Sequence, residues 1–226
     1  MPQTPPEKAN RLLERVVQLY AKTFDDVSEG RTYFERRGIA DVGLLGRHRV
    51  GYADGRLKDL LPKNGQLKDE LRDLGILLED PSTGSGQVAR ERFDGCVVFP
   101  MCDPEGTLTT ICGKSVGDDS ASYVCLPAHP TGLWNAVALK TYPELLLATS
   151  IIDALSVMMA GQANVIGIQG AGGVADHDAA MLKAYGVQRV TLLLASRRSG
   201  IYCGRSLTMN KVATLAVVLC AIIGAS

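Results

Sequence analysis

No Cys-x-x-Cys pair occurs among the six cysteines of this chain (Cys96, Cys102, Cys112, Cys125, Cys203 and Cys220), and its three histidines stand far from any such pair. A structural zinc site draws soft ligands from short spacings of that kind, so zinc is not expected. Net charge is lacking too, since 24 Lys and Arg balance 24 Asp and Glu. Composition therefore gives no global electrostatic pull toward nucleic acid or membrane. The C-terminal apolar run, Val212 to Ala225, stops at 14 residues, short of the ~20 that a membrane span needs. The beginning, MPQTPPEKANR, is polar and proline-rich where a secretory signal would be apolar. Acidic residues are missing after Asp178, where Lys183, Arg189, Arg197, Arg198, Arg205 and Lys211 are all basic. Such a segment suits phosphate contacts and a plain solvated surface equally.

What is present is ordinary for a globular protein: 46% hydrophobic and 21% charged residues in a chain of 226. That length buries a sizeable core in one or two domains. Cysteines in apolar runs such as GCVVFPMC suit buried thiols in a reducing cytosol, so a cytoplasmic location is expected. The run from Val212 to Ala225 is read as a buried strand or core helix. Two alternatives stay open for it. The stretch MNKVATLAVVLCAIIGAS has a basic start, an apolar middle and small residues last, like a signal peptide at the wrong end, as a disrupted reading frame would give. The other alternative is a membrane anchor.

Helical periodicity covers Lys8 to Thr23 through Leu12, Leu13, Val16, Val17, Leu19 and Tyr20. A second helix, SEGRTYFERRG, ends at Gly38, and LKDLL and GQLKDELRDLG read as short helices. PSTGSGQ is a turn-rich loop. The period then shifts to strands at Cys96–Met101 and Thr107–Ile111, joined by the turn Asp103-Pro104-Glu105-Gly106, with a short strand at Tyr123–Leu126. From Leu145 the order is apolar strand, helix, strand, glycine turn, helix, strand. The expected organisation is an N-terminal helix or tail over 1–24, an α+β domain over 25–140, and an α/β domain with a mostly parallel sheet over 141–226, divergent after 194. Gly170 to Gly173 follows a strand and precedes a helix but lacks the Gly-Lys-Ser/Thr ending of a P-loop, so it reads as a tight turn.

In order along the chain stand Tyr33, Arg37, Gly38 and Ile39; Gly51, Tyr52 and Ala53; Gly75; Arg92, Phe93, Phe99 and Pro100; Asp103 and Gly106; Gly113 and Lys114; Tyr123, Leu126 and Pro127; Gly132, Leu133, Trp134 and Asn135. Their order and spacing resemble the catalytic core of DnaG-type bacterial DNA primases, and the βαβαβ unit after Leu145 resembles that family's TOPRIM domain. The resemblance covers roughly residues 30 to 194. It implies template-directed RNA primer synthesis in DNA replication, single-stranded DNA and nucleotides as ligands, and a replicative helicase or other replication protein as partner. Plasmid, phage and integrated elements are the setting it suggests. The family's zinc ribbon and helicase-contacting region have no counterpart in the matched stretch.

Primer synthesis is in-line attack on an α-phosphate, and Mg²⁺ held by carboxylates assists it. In the family the first TOPRIM strand ends in a glutamate and the third in Asp-x-Asp. The matching positions here are Thr149, Ala195 and Arg197. Alanine has no donor, and Arg197 would repel a dication by on the order of 8 kcal/mol at ~4 Å and an effective dielectric near 20. The expectation is a chain that has lost metal-dependent catalysis and holds no metal. Asp153 matches a retained family aspartate, while Asp176 and Asp178 read as charges at a helix start. A second reading draws metal ligands from these three instead. Among the cations, Arg37, Arg92 and Lys114 are the candidates for nucleotide or DNA phosphate; further family basic positions hold Asp94 and Cys96. Phe93, Phe99 and Trp134 are expected in the core rather than as base-stacking platforms. A third reading is a structural or interaction protein, or a decayed product without nucleic-acid activity.

Overall fold

The computed structural model describes residues 6–62, 65–79, 88–126, 132–168, 176–195, 202–208 and 216–220. The chain divides into two units, one of residues 1–101 and 108–131, the other of 102–107 and 132–226.

In the first unit the elements run α1 (Pro6–Asp26), α2 (Ser28–Glu35), α3 (Val42–Arg47), β1 (Gly51–Ala53), α4 (Leu57–Leu60), α5 (Gln66–Asp73), β2 (Leu77–Glu79), β3 (Val88–Glu91), β4 (Cys96–Cys102), β5 (Leu108–Ser115) and β6 (Val124–Cys125). A four-stranded sheet has the order β1-β4-β5-β6, with β2 and β3 forming a separate antiparallel pair. β4 is buried along nearly its whole length, which is why CVVFPM is a continuous apolar run rather than an alternating one. The apolar stripe of α1 (Leu12, Leu13, Val16, Val17, Tyr20 and Phe24) is buried. Phe93 and Phe99 are fully buried, as core residues should be.

Helix α1 lies directly on β1, and Gly51 is what lets it. A Cβ at Gly51 would stand 2.6 Å from Tyr20 Cβ and 2.8 Å from the Tyr20 carbonyl carbon. Backbone cannot swing aside as a side-chain tip can. Gly51→Ala is expected to cost about 1–3 kcal/mol by overpacking, read as a lower midpoint in urea. An unchanged midpoint would mean that α1 and β1 separate without penalty.

The second unit runs from a 3-10 turn (Ala136–Lys140) through β7 (Glu144–Ala148), α6 (Ile151–Met159), β8 (Val165–Gly167), α7 (Asp176–Ala184), β9 (Arg189–Ala195), β10 (Tyr202–Thr208) and β11 (Ala216–Cys220). Its sheet has the order β11-β10-β9-β7-β8. β7 pairs in parallel with both β8 and β9, whereas β10 and β11 are antiparallel additions on the β9 side. The fold is thus α/β around three parallel strands. Leu145, Leu147, Ile166, Leu182, Val187 and Val190 form its core. The Leu133-Trp134-Asn135 segment closes the other edge: Trp134 and Gly167 exchange backbone hydrogen bonds of 2.8 and 3.1 Å. Asn135 takes a left-handed conformation and donates its amide to the Val165 carbonyl at 2.8 Å. Part of the apolar C-terminal run, Ala216–Cys220, forms β11; the rest lies outside the described residues. Among the described residues no helix is long and apolar enough to cross a membrane. Gly170 to Gly173 also lies outside them.

One expectation is corrected. Cysteines in apolar runs such as GCVVFPMC are expected as buried thiols, and Cys96 is one, but Cys112 and Cys125 form a disulfide. They are direct cross-strand partners in the β5–β6 register, so the two side chains meet on one face.

Candidate functional site

In the first unit, two of the three candidate cations meet at one loop. Arg37 sits just beyond α2, its guanidinium stacked 3.6 Å from the centre of the Tyr33 ring. It donates to the Tyr33 carbonyl at 2.8 Å and forms an ion pair with Asp119, 82 residues away. Lys114, near the end of β5, donates to the carbonyl of Asp119 at 2.8 Å and to that of Ala121, and its ammonium lies 5.9 Å from the Tyr123 ring centre. Tyr123 in turn packs on Phe99, with ring centres 6.0 Å apart. The loop itself is tied by Asp118, whose carboxylate accepts from Ser120 N–H at 2.8 Å and from Ser120 Oγ at 2.6 Å. Those hydrogen bonds hold the Asp118 carboxyl below its ordinary range.

Arg92 is engaged elsewhere. Its side chain donates to the Gly75 carbonyl, and its N–H bonds the Ile76 carbonyl at 2.8 Å, so it fastens the turn after α5. Burial, and then Arg90 beside it, lower its pKa. Glu91 is buried with its carboxylate on the Leu57 N–H at 3.1 Å, at the start of α4, and burial raises its pKa.

In the second unit the parallel register Ala148↔Leu193 brings the carboxyl ends of β7 and β9 side by side. Ligands in open α/β sheets bind at such ends. Thr149 follows β7 directly and is half-buried; Ala195 is the last residue of β9. Arg197 lies outside the described residues. Asp153 is in the first turn of α6, where its N–H bonds the capping Ser150 Oγ at 3.0 Å and a negative charge suits the positive end of the helix. Asp178 is buried, its carboxylate 3.1 Å from His177 Nε2. Among the described residues no three Asp, Glu, His or Cys side chains gather as a metal-binding group.

Sequence reasoning missed Asp119, the Ala121 carbonyl and the cysteine pair. A signal for the pair was present: Cys112 in TLTTICGK and Cys125 in YVCL flank a polar loop, as residues facing each other across a hairpin would.

The solved structure of a DnaG primase catalytic domain bound to single-stranded DNA aligns with a TM-score of 0.68 at 22% identity, covering 85% of this chain and 64% of that one. The zinc-binding and RNA polymerase domains of Aquifex aeolicus primase align at 0.69 and 24% identity, covering 83% and 47%. No family model matches the chain. In sequence it is 27% identical to the DNA primase of Halalkalibacterium halodurans over 189 residues, which is 74% of this chain and 31% of that protein. With the DNA primase of Pseudomonas aeruginosa it shares 29% over 159 residues, or 64% and 23%. The chain is therefore a relative of bacterial DNA primases, with the fold of a DnaG-type core fragment. It spans less than a third of the length of these curated relatives.

Proposed function

We propose that this chain is a primase-like protein of DNA replication that binds single-stranded DNA through Arg37 and Lys114 and lacks metal-dependent primer synthesis. The observation that carries the second part is the pair of strand ends. Magnesium takes hard oxygen ligands, carboxylates above all. β7 is followed by the Thr149 hydroxyl and β9 ends in Ala195, which has no donor. These residues do not fit a magnesium site. Asp153 does not replace them: its carboxylate suits the positive end of α6, and among the described residues no three Asp, Glu, His or Cys side chains gather around it.

For the first part, Arg37 and Lys114 are two cations at one loop, and each is held by groups that a phosphate can displace. The Arg37–Asp119 pair is partly open to water: the Asp119 side chain is 75% exposed and that of Arg37 24%. Pairs that water reaches in this way contribute on the order of 1 kcal/mol. Phosphate offers the same guanidinium a bidentate partner of equal or greater charge.

The test is anisotropy of a fluorescent single-stranded oligonucleotide across a salt series, with Mg²⁺ or with EDTA, and with a thiol reductant throughout. Binding is expected to weaken with salt and to ignore the metal. Replacing Arg37 and Lys114 together by alanine should lower the log–log salt slope by about 1.4, at ~0.7 per lost phosphate contact on a single strand. Binding that needs Mg²⁺ overturns the loss of the metal site. No binding at low salt overturns the nucleic-acid role and favours a structural or interaction protein.

A further inference from the structure

We infer that the Cys112–Cys125 disulfide is a redox clamp on the phosphate-binding cations: while the bond is closed, the loop between the two cysteines occupies Arg37 and Lys114, and reduction releases them. The inference rests on the nucleic-acid role proposed above and adds its regulation.

Apart from Tyr33, whose carbonyl and ring also hold Arg37, the groups on the two cations lie inside the segment that the disulfide closes. Asp119, the carbonyls of Asp119 and Ala121, and the Tyr123 ring all fall between Cys112 and Cys125. The strand returning from that loop is weak by itself. β6 has two residues, paired only with Cys112 and Gly113 at the sheet edge, and the following Leu126 N–H reaches the Ile111 carbonyl at 3.3 Å. Short edge strands of this kind fray readily. The covalent bond sits in the middle of this pairing and keeps the loop over the cations. The closed loop also carries Asp118 and Asp119, two carboxylates that oppose an approaching phosphate.

The chemistry has a defined direction. Cys112 is fully buried, whereas Cys125 is half-buried. A dithiol reductant therefore attacks Cys125 Sγ as a thiolate. The Cys112–Cys125 bond breaks, and Cys112 leaves as a thiolate that takes up a proton. The second thiol of the reductant then attacks the mixed disulfide and releases Cys125. Two electrons and two protons pass to the protein, and the reductant ends as its own disulfide. An oxidised dithiol reverses the exchange.

The experiment compares the whole chain, oxidised with glutathione disulfide or reduced with dithiothreitol, for binding of the same oligonucleotide at fixed low salt. Iodoacetamide labelling and peptide mass count the thiols in each state. Reduction should expose Cys112 and Cys125 together and tighten binding roughly tenfold, the gain of two phosphate contacts. Cys125→Ser should bind like the reduced protein under either condition. Equal affinity in both states overturns the clamp and leaves the nucleic-acid role standing. Labelling of Cys112 or Cys125 in the oxidised protein overturns it as well. Absence of binding in both states defeats the nucleic-acid role itself, and the clamp with it.

Discussion

Phe34→Ala is expected to lower the stability of the first unit by about 3–5 kcal/mol, the range for truncating a fully buried phenylalanine. Phe34 has no exposed surface. It meets three other rings edge-on: Tyr33 at 5.4 Å, Phe24 at 5.9 Å and Phe99 at 6.2 Å between centres. Edge-to-face pairs add about 0.5–1.5 kcal/mol each beyond the area they bury. The four rings come from α1, α2 and β4, so the cavity would open where those elements join. Domains hold only about 5–15 kcal/mol in total, so the loss is a large fraction of the whole. Urea unfolding followed by far-UV circular dichroism measures it. Fluorescence of Trp134, the single tryptophan, reads the second unit in the same samples. Phe34→Leu keeps most of the volume and should cost much less. Equal costs for the two variants would mean that the site collapses around any side chain.

That cluster marks what could be read in advance. The helical spacing of Leu12, Leu13, Val16, Val17 and Tyr20 and the unbroken apolar run of β4 follow directly from burial, so those elements were legible. Among the short elements, α4, α5 and β6 were legible too, but α3 and β10 were not. α3 contains two glycines in six residues and depends on Asp41, whose carboxylate accepts from the Leu44 N–H at 2.8 Å. β10 carries Gly204 and Arg205 in a stretch with no clean alternation, and it exists by pairing with β9 and β11. Local pattern cannot reveal a partner that lies elsewhere in the chain. The strand ends at Thr149 and Ala195 were legible because a βαβαβ unit fixes where strand ends fall. The meeting of Arg37 with Lys114 was hidden, because it depends on a loop 82 residues beyond Arg37. Arg92 looked equivalent in sequence and differs because burial and the Gly75 carbonyl claim it.

The first unit should also lose stability as pH falls from about 6.5 to 4, and His48 is the cause. It caps the C-terminal end of α3, a place that ordinarily favours a protonated imidazole by about 0.3–1 kcal/mol. Burial wins over that preference. With the Arg47 charge adding to it, burial pushes the His48 pKa down to about 4. The unfolded chain takes up the proton near pH 6.5, while the folded chain holds out until about 4. Stability contributed by the neutral ring is therefore complete above 6.5 and lost as pH falls through that window. A shift of this size corresponds to about 2–3 kcal/mol once partial hydration is allowed for. Glu91 acts with the opposite sign. Burial raises its pKa, so it favours the folded state more as pH falls toward its unfolded value. The two contributions overlap, and the wild-type profile alone would understate His48. His48→Gln separates them, because glutamine stays neutral throughout. The difference between wild type and variant in urea midpoint should be constant above pH 7 and shift steadily against the wild type from 6.5 to 4. A difference that stays flat across that range would place the His48 ring in water at least part of the time, and would remove acid sensitivity from the α3–β1 corner of the fold.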